Sequence, residues 1–324
     1  MPDFNFNDAK NFAMDEAGNQ FAFVAERDSS EKYVQKVYKL FYYTAGQDSA
    51  KIIVDKFTTG MPLGFTVSEN ATIEFSKNGG KLYFGNAPIR SPKDTTLVDF
   101  ELAKLDIWNY KDDYLQTQQL KNLDTELKHS YTAVYHIYKN KLVQLGADDA
   151  ETITIVNEGN ADWVLAESNK GNRVEGQWIG RTKSTACIIN SNTGQRKIIY
   201  KNQQINATPS PAGKFVYWYN VAQKNYFTYE VATGITSNIS GSVKVALYDE
   251  ENDVPDLPNN YGVMGWQDDD SALYVYDRFN IWSLHPLNTA TSKLLFADNK
   301  RQSGNILRYI NTDKEHRSFS SAKP

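Results

Sequence analysis

The stretch Ser210-Pro211-Ala212-Gly213-Lys214-Phe215-Val216-Tyr217-Trp218 decides the fold, because a tight turn leads directly into a run of apolar and aromatic residues. Pro and Gly favour turns, whereas Phe, Val, Tyr and Trp favour extended strands. The same order of turn and strand returns in four further segments: residues 16–24, 76–84, 157–165 and 268–276. The copies lie about 50–60 residues apart, with one longer interval. The sequence therefore predicts a repeat protein built from β-strands.

Most copies are followed by a second strand, a turn and a third strand. Ile281-Trp282-Ser283-Leu284, for example, precedes the predicted turn Asn288-Thr289-Ala290 and the strand Leu294-Leu295-Phe296. This order is typical of an antiparallel four-stranded blade, so we predict an all-β fold, a β-propeller of about five four-stranded blades forming one domain over residues 1–324. Stacked blades cover each other's faces, which agrees with strands that are apolar on both sides. A β-sandwich is the competing architecture, but it requires no repeating four-stranded unit.

The longest interval between copies contains one helical segment. Residues 112–130 place Leu115, Leu120, Leu123 and Leu127 near one face of a helix. We predict a helical insertion near 112–130, between two strands of one blade. It could reach a neighbouring domain or form a decorated surface loop.

Composition excludes several functional classes. The net charge is −4, which argues against a general nucleic-acid or anionic-membrane surface. No run of about 18 apolar residues predicts a transmembrane helix, and the N-terminus lacks the features of a secretory signal. Cys187 is the single cysteine, so no disulfide within the chain and no Cys-based metal site is possible, and we interpret it as a buried strand residue.

The chain contains little that predicts catalysis. Gly-x-Ser-x-Gly, the Walker loop, Gly-x-Gly-x-x-Gly and His-Glu-x-x-His are all absent from the sequence. The four histidines show no ligand spacing, so we predict no metal and no cofactor. The acidic clusters Asp112-Asp113, residues 249–253 and Asp268-Asp269-Asp270 are interpreted first as solvated turns. Paired carboxylates on a propeller could also support glycoside hydrolysis or bind the amino terminus of a substrate.

Several segments resemble the propeller domain of the prolyl oligopeptidase/dipeptidyl peptidase family of serine peptidases, in particular its large homologues from Bacteroidetes-type bacteria. The resemblance rests on residues 86–94, 105–113, 248–255, 265–270 and 276–282, and it spans about residues 10–310. The two Ile-Trp segments and the acidic loop are its more specific parts. Ser210-Pro211-Ala212-Gly213-Lys214 is similar to a turn that many propellers share, with Ala212 in place of Asp.

The resemblance implies a seven- or eight-bladed propeller that restricts access to an α/β-hydrolase domain, which this chain lacks. Leu307-Arg308-Tyr309-Ile310 is similar to the start of a further blade, so we expect a partial or open segment of a larger peptidase. Its partners would be a peptide substrate and the hydrolase domain of the parent chain, with self-association through open blade ends, and its compartment would be periplasmic or secreted. The residues that we expect to face substrate are Arg90, Trp108, Asp112, Asp113, Glu250 and Glu251. The surroundings of Glu250-Glu251 do not match the family's amino-group-binding motif, so that role is not transferred.

Two alternatives stay open. The chain could be a complete five-bladed propeller that binds peptide or glycan, which a closed ring would distinguish from an open segment. A five-bladed glycosidase would instead require carboxylates from different blades about 5–10 Å apart. If the chain is a propeller segment of a larger peptidase, as the resemblance implies, we expect that it is not an enzyme by itself.

Overall fold

The computed structural model describes residues 6, 8–27, 36–90, 98, 105–295, 304–312 and 317–320. In this part of the chain the strands form five sheets of four or five strands, in which antiparallel pairing predominates and one pair is parallel. The first sheet consists, in chain order, of β1 (Asp8–Met14), β2 (Gln20–Glu26), β3 (Lys39–Thr44) and β4 (Lys51–Val54). The second consists of β5 (Phe65–Val67), β6 (Glu74–Phe75), β7 (Lys81–Pro88), β8 (Tyr131–His136) and β9 (Lys141–Gln144). Its path is β5-β7-β8-β9, and β6 also pairs with β7.

The third sheet consists, in chain order, of β10 (Thr152–Ile155), β11 (Trp163–Ser168), β12 (Ser184–Asn190) and β13 (Arg196–Gln203). The fourth consists of β14 (Thr208–Pro209), β15 (Phe215–Asn220), β16 (Asn225–Glu230) and β17 (Thr236–Asn238). The fifth consists of β18 (Val263–Gln267), β19 (Leu273–Tyr276), β20 (Ile281–His285), β21 (Asn288–Leu294) and β22 (Ser318–Phe319). Its order is β21-β20-β19-β18-β22. The α-helices of the described residues are α1 (Gln116–Leu127) and α2 (Arg173–Ile179).

The five repeated turns have the same place in the fold. Each leads into a strand that lies next to the first strand of its blade, namely β2, β7, β11, β15 or β19, where β18 is the first strand of the fifth blade and β22 lies outside the repeat. Turn glycines Gly18, Gly79 and Gly213 have φ between +68° and +78°, a left-handed conformation that glycine adopts without steric cost. The prediction of an all-β chain of repeated four-stranded, propeller-like blades is thereby confirmed.

The chain divides into two compact units. One comprises the residues up to Gly180 together with Cys187–Lys197, and the other comprises Arg181–Ala186 together with the residues from Ile198 onward. The first and second sheets belong wholly to the first unit, and the fourth and fifth wholly to the second unit.

Strand β7 shows why both sides of these strands are apolar. Leu82 and Phe84 belong to a buried cluster with residues of the first sheet such as Val24. Tyr83, which points to the opposite face, packs in a second cluster with Val164 of the third sheet. Successive side chains of a strand point to opposite faces, so a blade between two others buries both sets. In the second unit, the fourth and fifth sheets likewise share one buried cluster.

A buried aspartate ties the fourth and fifth sheets together at their turns. Asp270 is 2% exposed, and its carboxylate accepts hydrogen bonds from the Ser210 hydroxyl at 2.5 Å and from the Ala212 and Lys214 amides at 3.0 Å each. Neighbouring Asp269 lies at the surface and pairs with the Lys214 ammonium. The expectation that this acidic cluster is a solvated turn is therefore wrong for Asp270. Its carboxylate is buried and accepts hydrogen bonds from the turn of the fourth sheet instead of from water.

The hairpin between β20 and β21 in the fifth sheet differs from the one that the sequence predicts. Residues 288–290 are not a turn but the start of β21. His285 pairs directly with Asn288, which closes the hairpin over the two residues Pro286 and Leu287. Proline cannot donate to a strand ladder, and this places the turn at Pro286.

The segment Leu307–Ile310 is not a strand in the structure. The Leu307 amide donates to the Phe279 carbonyl at 2.8 Å, and the Arg308 guanidinium lies 4.6 Å from the centre of the Tyr276 ring. These contacts hold the segment against the fifth sheet in an irregular conformation.

Candidate functional site

The insertion between β7 and β8 carries four of the six residues that we expected to face substrate. The two strands are direct neighbours, with Lys81 opposite His136, so the chain leaves and re-enters the same blade. The predicted helical insertion near 112–130 is confirmed, with its helix α1 at Gln116–Leu127. Gln, Leu, Lys and Glu dominate this segment and Gly and Pro are absent from it, which favours a helix.

The leucines of α1 do not anchor the helix. Leu120, Leu123 and Leu127 lie three or four residues apart, as an apolar helix face requires, yet each is about half exposed. Polar and aromatic contacts of the preceding loop hold the insertion instead.

Arg173 is the centre of those contacts. It begins α2, which lies between β11 and β12, and its side chain is 14% exposed. The guanidinium pairs with Asp113 at 3.3 Å and with Glu151, and it lies 4.4 Å from the centre of the Tyr114 ring. Burial opposes its charge, but the hydrogen bond with Glu151 and the two carboxylates prevail and raise the pKa of Arg173. Two insertions of the first unit are thus joined through one arginine.

Asp113 is committed to this junction. Besides the ion pair with Arg173, its carboxylate accepts the amides of Gly171 at 2.7 Å and Arg173 at 3.1 Å. These backbone donors lie at the start of α2, where amides have no partner within the helix. Asp113 therefore positions the insertion, and its carboxylate is engaged by protein groups.

Asp112, the neighbouring acid, belongs to a small pocket of about 320 Å³ in the first unit. The pocket is lined by Trp108, Tyr110, Asp112 and Tyr114, with Leu115 and Val174 among the other residues. Trp108 is 68% exposed, and the Asp112 carboxylate is contacted by the Gln119 amide at 3.4 Å. Aromatic rings beside a carboxylate attract a cationic group, since ring faces and the carboxylate both carry negative potential.

The other predicted residues lie elsewhere. Arg90 donates to the carbonyl of Glu126 in the last turn of α1 at 3.1 Å, so it supports the helix from outside the pocket. Glu250 and Glu251 lie exposed on a loop of the second unit. Glu251 pairs with Arg278 at 2.6 Å, and the Glu250 amide donates to the Tyr261 hydroxyl at 3.1 Å. The structure thus brings together only Trp108, Asp112 and the positioning residue Asp113.

A larger cavity of about 640 Å³ lies where the end of the insertion meets the second and third sheets. His129, Lys128 and Glu74 contribute polar groups, and Tyr83 and Ile153 contribute apolar surface. In the described residues no group of three or more His, Cys, Asp or Glu side chains could hold a metal ion. No described helix is long and apolar enough to cross a membrane.

Sequence reasoning missed α2 and the role of Arg173. The signal was present but short: Asn172 precedes the helix, and Gly180 follows it with φ +71°, a common way for helices to end. Seven residues are too few for a readable helical period, and nothing local indicates that Arg173 pairs with Asp113, sixty residues earlier in the chain.

No family model and no curated protein matches this chain. Among solved structures, a prolyl endopeptidase is similar at 10% identity and a TM-score of 0.38, over 91% of this chain and 37% of that chain. An acylaminoacyl peptidase of Pyrococcus horikoshii is similar at 10% identity and a TM-score of 0.37, over 91% of this chain and 40% of that chain. TolB of Acinetobacter baumannii is similar at 9% identity and a TM-score of 0.30, over 88% of this chain and 53% of that chain. The chain therefore spans about two fifths of the two peptidases and about half of TolB.

Proposed function

We propose that this chain is the non-catalytic propeller segment of a serine peptidase similar to the prolyl oligopeptidase/dipeptidyl peptidase family. It would gate and orient peptide substrates for an α/β-hydrolase domain of the same parent chain, in the periplasm or outside the cell. The observation that carries the proposal is the pocket of Trp108, Tyr110, Tyr114 and Asp112 on an insertion that Arg173 holds in place. The sequence resemblance supports the peptidase assignment.

The chemistry of this pocket suits the amino end of a peptide. A protonated amine would contact the ring faces and the Asp112 carboxylate, while the pocket's apolar residues, such as Leu115 and Val174, would contact the first side chain. Because the insertion is fixed by the Arg173–Asp113 pair, the pocket is preorganised, which lowers the entropic cost of binding.

The test is peptide binding by the full chain. An unblocked Ala-Pro peptide and its N-acetylated form, which lacks the amine, are titrated calorimetrically. We expect the unblocked peptide to bind more tightly, and Trp108→Ala or Asp112→Asn to weaken its binding about 5- to 30-fold, as loss of 1–2 kcal/mol of cation–ring attraction implies. Tyr138→Ala, an exposed aromatic outside this pocket, serves as the matched control and should bind as the unmodified chain does.

Two results would overturn the proposal. Equal affinity for the blocked and unblocked peptides would remove the role of the pocket in recognising an amine. Cleavage of Pro- or Ala-containing peptides by the purified chain, abolished by a serine-directed inhibitor, would contradict a non-catalytic role.

A propeller that works alone as a peptide or glycan receptor is the second candidate. The exposed Trp108 beside Asp112 favours it, since a ring face and a carboxylate also suit a sugar. Binding of an oligosaccharide in preference to both peptides in the same titration would support this candidate.

We also propose self-association through an open blade face. On β1, Phe12 is 60% exposed and stacks on Phe21 at 5.9 Å between ring centres, and Met14 is similarly exposed. Exposed apolar faces of this kind promote association. Light scattering should show dimers or larger species that Phe12→Ser reduces, whereas a strictly monomeric chain at high concentration would contradict the proposal.

A further inference from the structure

The fifth sheet contains a strand that does not belong to the blade repeat. β22, only two residues long, pairs in parallel with β18, with Trp266 opposite Ser318 and Gln267 opposite Phe319. β18 pairs on its other side with β19. The segment Arg317–Ser320 therefore covers the edge of β18 with an extended peptide, although the other pairs of strands in the fifth sheet are antiparallel.

Phe319 fits a socket on this edge. Its ring lies 4.8 Å from the Tyr309 ring at 90° and 6.0 Å from the Tyr274 ring, measured between ring centres. Gly265 forms the base of the socket, since a Cβ at this position would lie 2.6 Å from the Phe319 ring. Ser318 adds a hydrogen bond from its hydroxyl to the Asp268 carboxylate at 2.6 Å.

These contacts combine main-chain pairing with one side-chain pocket. Proteins that bind a peptide by strand addition gain affinity from the main chain and specificity from such pockets. The space above Gly265 and between the Tyr309 and Tyr274 rings fits an aromatic side chain. The Asp268 carboxylate favours a hydroxyl or another hydrogen-bond donor on the preceding residue. We propose that the β18 edge is a binding site for an extended peptide with an aromatic residue, occupied here in cis by Arg317–Ser320.

Occupation in cis has a measurable consequence. A tethered segment acts at an effective concentration of the order of 1 mM, so a free peptide of the same sequence competes poorly. Removing the contact of Phe319 with the Tyr309 and Tyr274 rings should therefore allow the free peptide to bind at the β18 edge. The site on the β18 edge requires no hydrolase domain, so its test is independent of the test of the proposed function.

The experiment compares the full chain with its Phe319→Ala variant. The probe is a fluorescein-labelled peptide with the sequence of residues 312–323, and its binding is followed by fluorescence anisotropy. We expect the variant to bind the probe at least about 10-fold more tightly than the unmodified chain. A probe with Ala in place of Phe, and a probe N-methylated at the residues matching Ser318 and Phe319, should lose this gain because each lacks one half of the recognition.

Hydrogen exchange of residues 263–267 provides a second readout that does not depend on the probe's label. The β18 amides should exchange faster in Phe319→Ala and become protected again when the probe is added. Tyr138→Ala, which alters an exposed ring of the other unit outside both proposed sites, should behave as the unmodified chain in both measurements. Equal probe affinity in the two chains, or equal binding of the Ala-containing probe, would overturn the proposal.

Discussion

Replacing Asp270 with Ala tests how the turns of two blades are held together. The substitution removes a carboxylate that is 2% exposed and that accepts two main-chain amides and one hydroxyl. All three donors belong to the repeated turn of the fourth sheet. If this turn is stabilised by Asp270, its loss should destabilise the second unit.

The magnitude follows from the bonds that are lost. A hydrogen bond to a charged group contributes about 1.5–3 kcal/mol, so two amide bonds amount to about 3–6 kcal/mol. Ser210 retains a partner because its hydroxyl also contacts the Phe215 carbonyl and amide. We therefore expect Asp270→Ala to lower the free energy of unfolding by about 3–5 kcal/mol, and Asp270→Asn, which keeps one acceptor oxygen, by about half as much.

Asp269→Ala is the matched control for this experiment. Asp269 and Asp270 have φ values of +60° and +54°, so replacing either with Ala incurs a similar left-handed strain of about 1 kcal/mol. The Asp269 carboxylate, however, makes an exposed ion pair with Lys214, which contributes about 0–1 kcal/mol. The difference between the two variants therefore measures the buried hydrogen bonds to within the contribution of this ion pair, about 1 kcal/mol at most.

Urea denaturation followed by circular dichroism gives the free energies, and hydrogen exchange of residues 210–230 locates the change. We expect faster exchange there in Asp270→Ala and unchanged exchange in Asp269→Ala. A difference of less than about 1 kcal/mol between the variants would refute the role of Asp270 as the link between the turns.

Three further measurements test the first unit. Arg173→Ala leaves two carboxylates half buried without their cation, so it should destabilise this unit by about 3 kcal/mol and speed exchange in α1, whereas Arg173→Lys should recover part of the loss. Burial lowers the pKa of His136, and the hydrogen bond with the Ser191 carbonyl opposes this only in part. Because the unfolded chain binds the proton more readily than the folded chain, the free energy of unfolding should fall as the pH drops below about 6.5. His136→Gln should reduce this pH dependence in urea titrations. Burial raises the pKa of the Cys187 thiol, so a disulfide reagent at pH 8 should modify it only on unfolding, and rapid reaction of the native chain would contradict its burial.

The blades could be predicted from the sequence because their signal is local and repeated. A turn followed by a strand of aromatic and β-branched residues needs only about nine neighbouring residues, and one strand of every sheet (β2, β7, β11, β15 and β19) could be predicted in this way. Burial on both faces of β7 also follows from its apolar residues alone, without knowledge of the neighbouring sheets.

The positioning contacts could not be predicted because they join distant residues through single side chains. Asp112 and Asp113 are equivalent in sequence, yet Asp113 binds the start of α2 while Asp112 lines the pocket. Similarly, nothing in the Asp268-Asp269-Asp270 run distinguishes the buried Asp270 from its exposed neighbour. Which carboxylate is buried depends on the amides that another turn presents, and this is decided only by tertiary packing.

The same packing explains where chemistry can reside in this chain. A blade that buries both faces leaves few side chains for a ligand, so binding groups must come from excursions out of the blade or from sheet edges. The structure offers one of each: the insertion carrying Trp108 and Asp112, and the edge of β18 that Phe319 covers. Each is held by contacts that the blade repeat does not require, Arg173 in one unit and Tyr309 in the other. Substitutions at these contacts should therefore alter binding while the repeated strands stay folded, which separates recognition from the architecture that supports it.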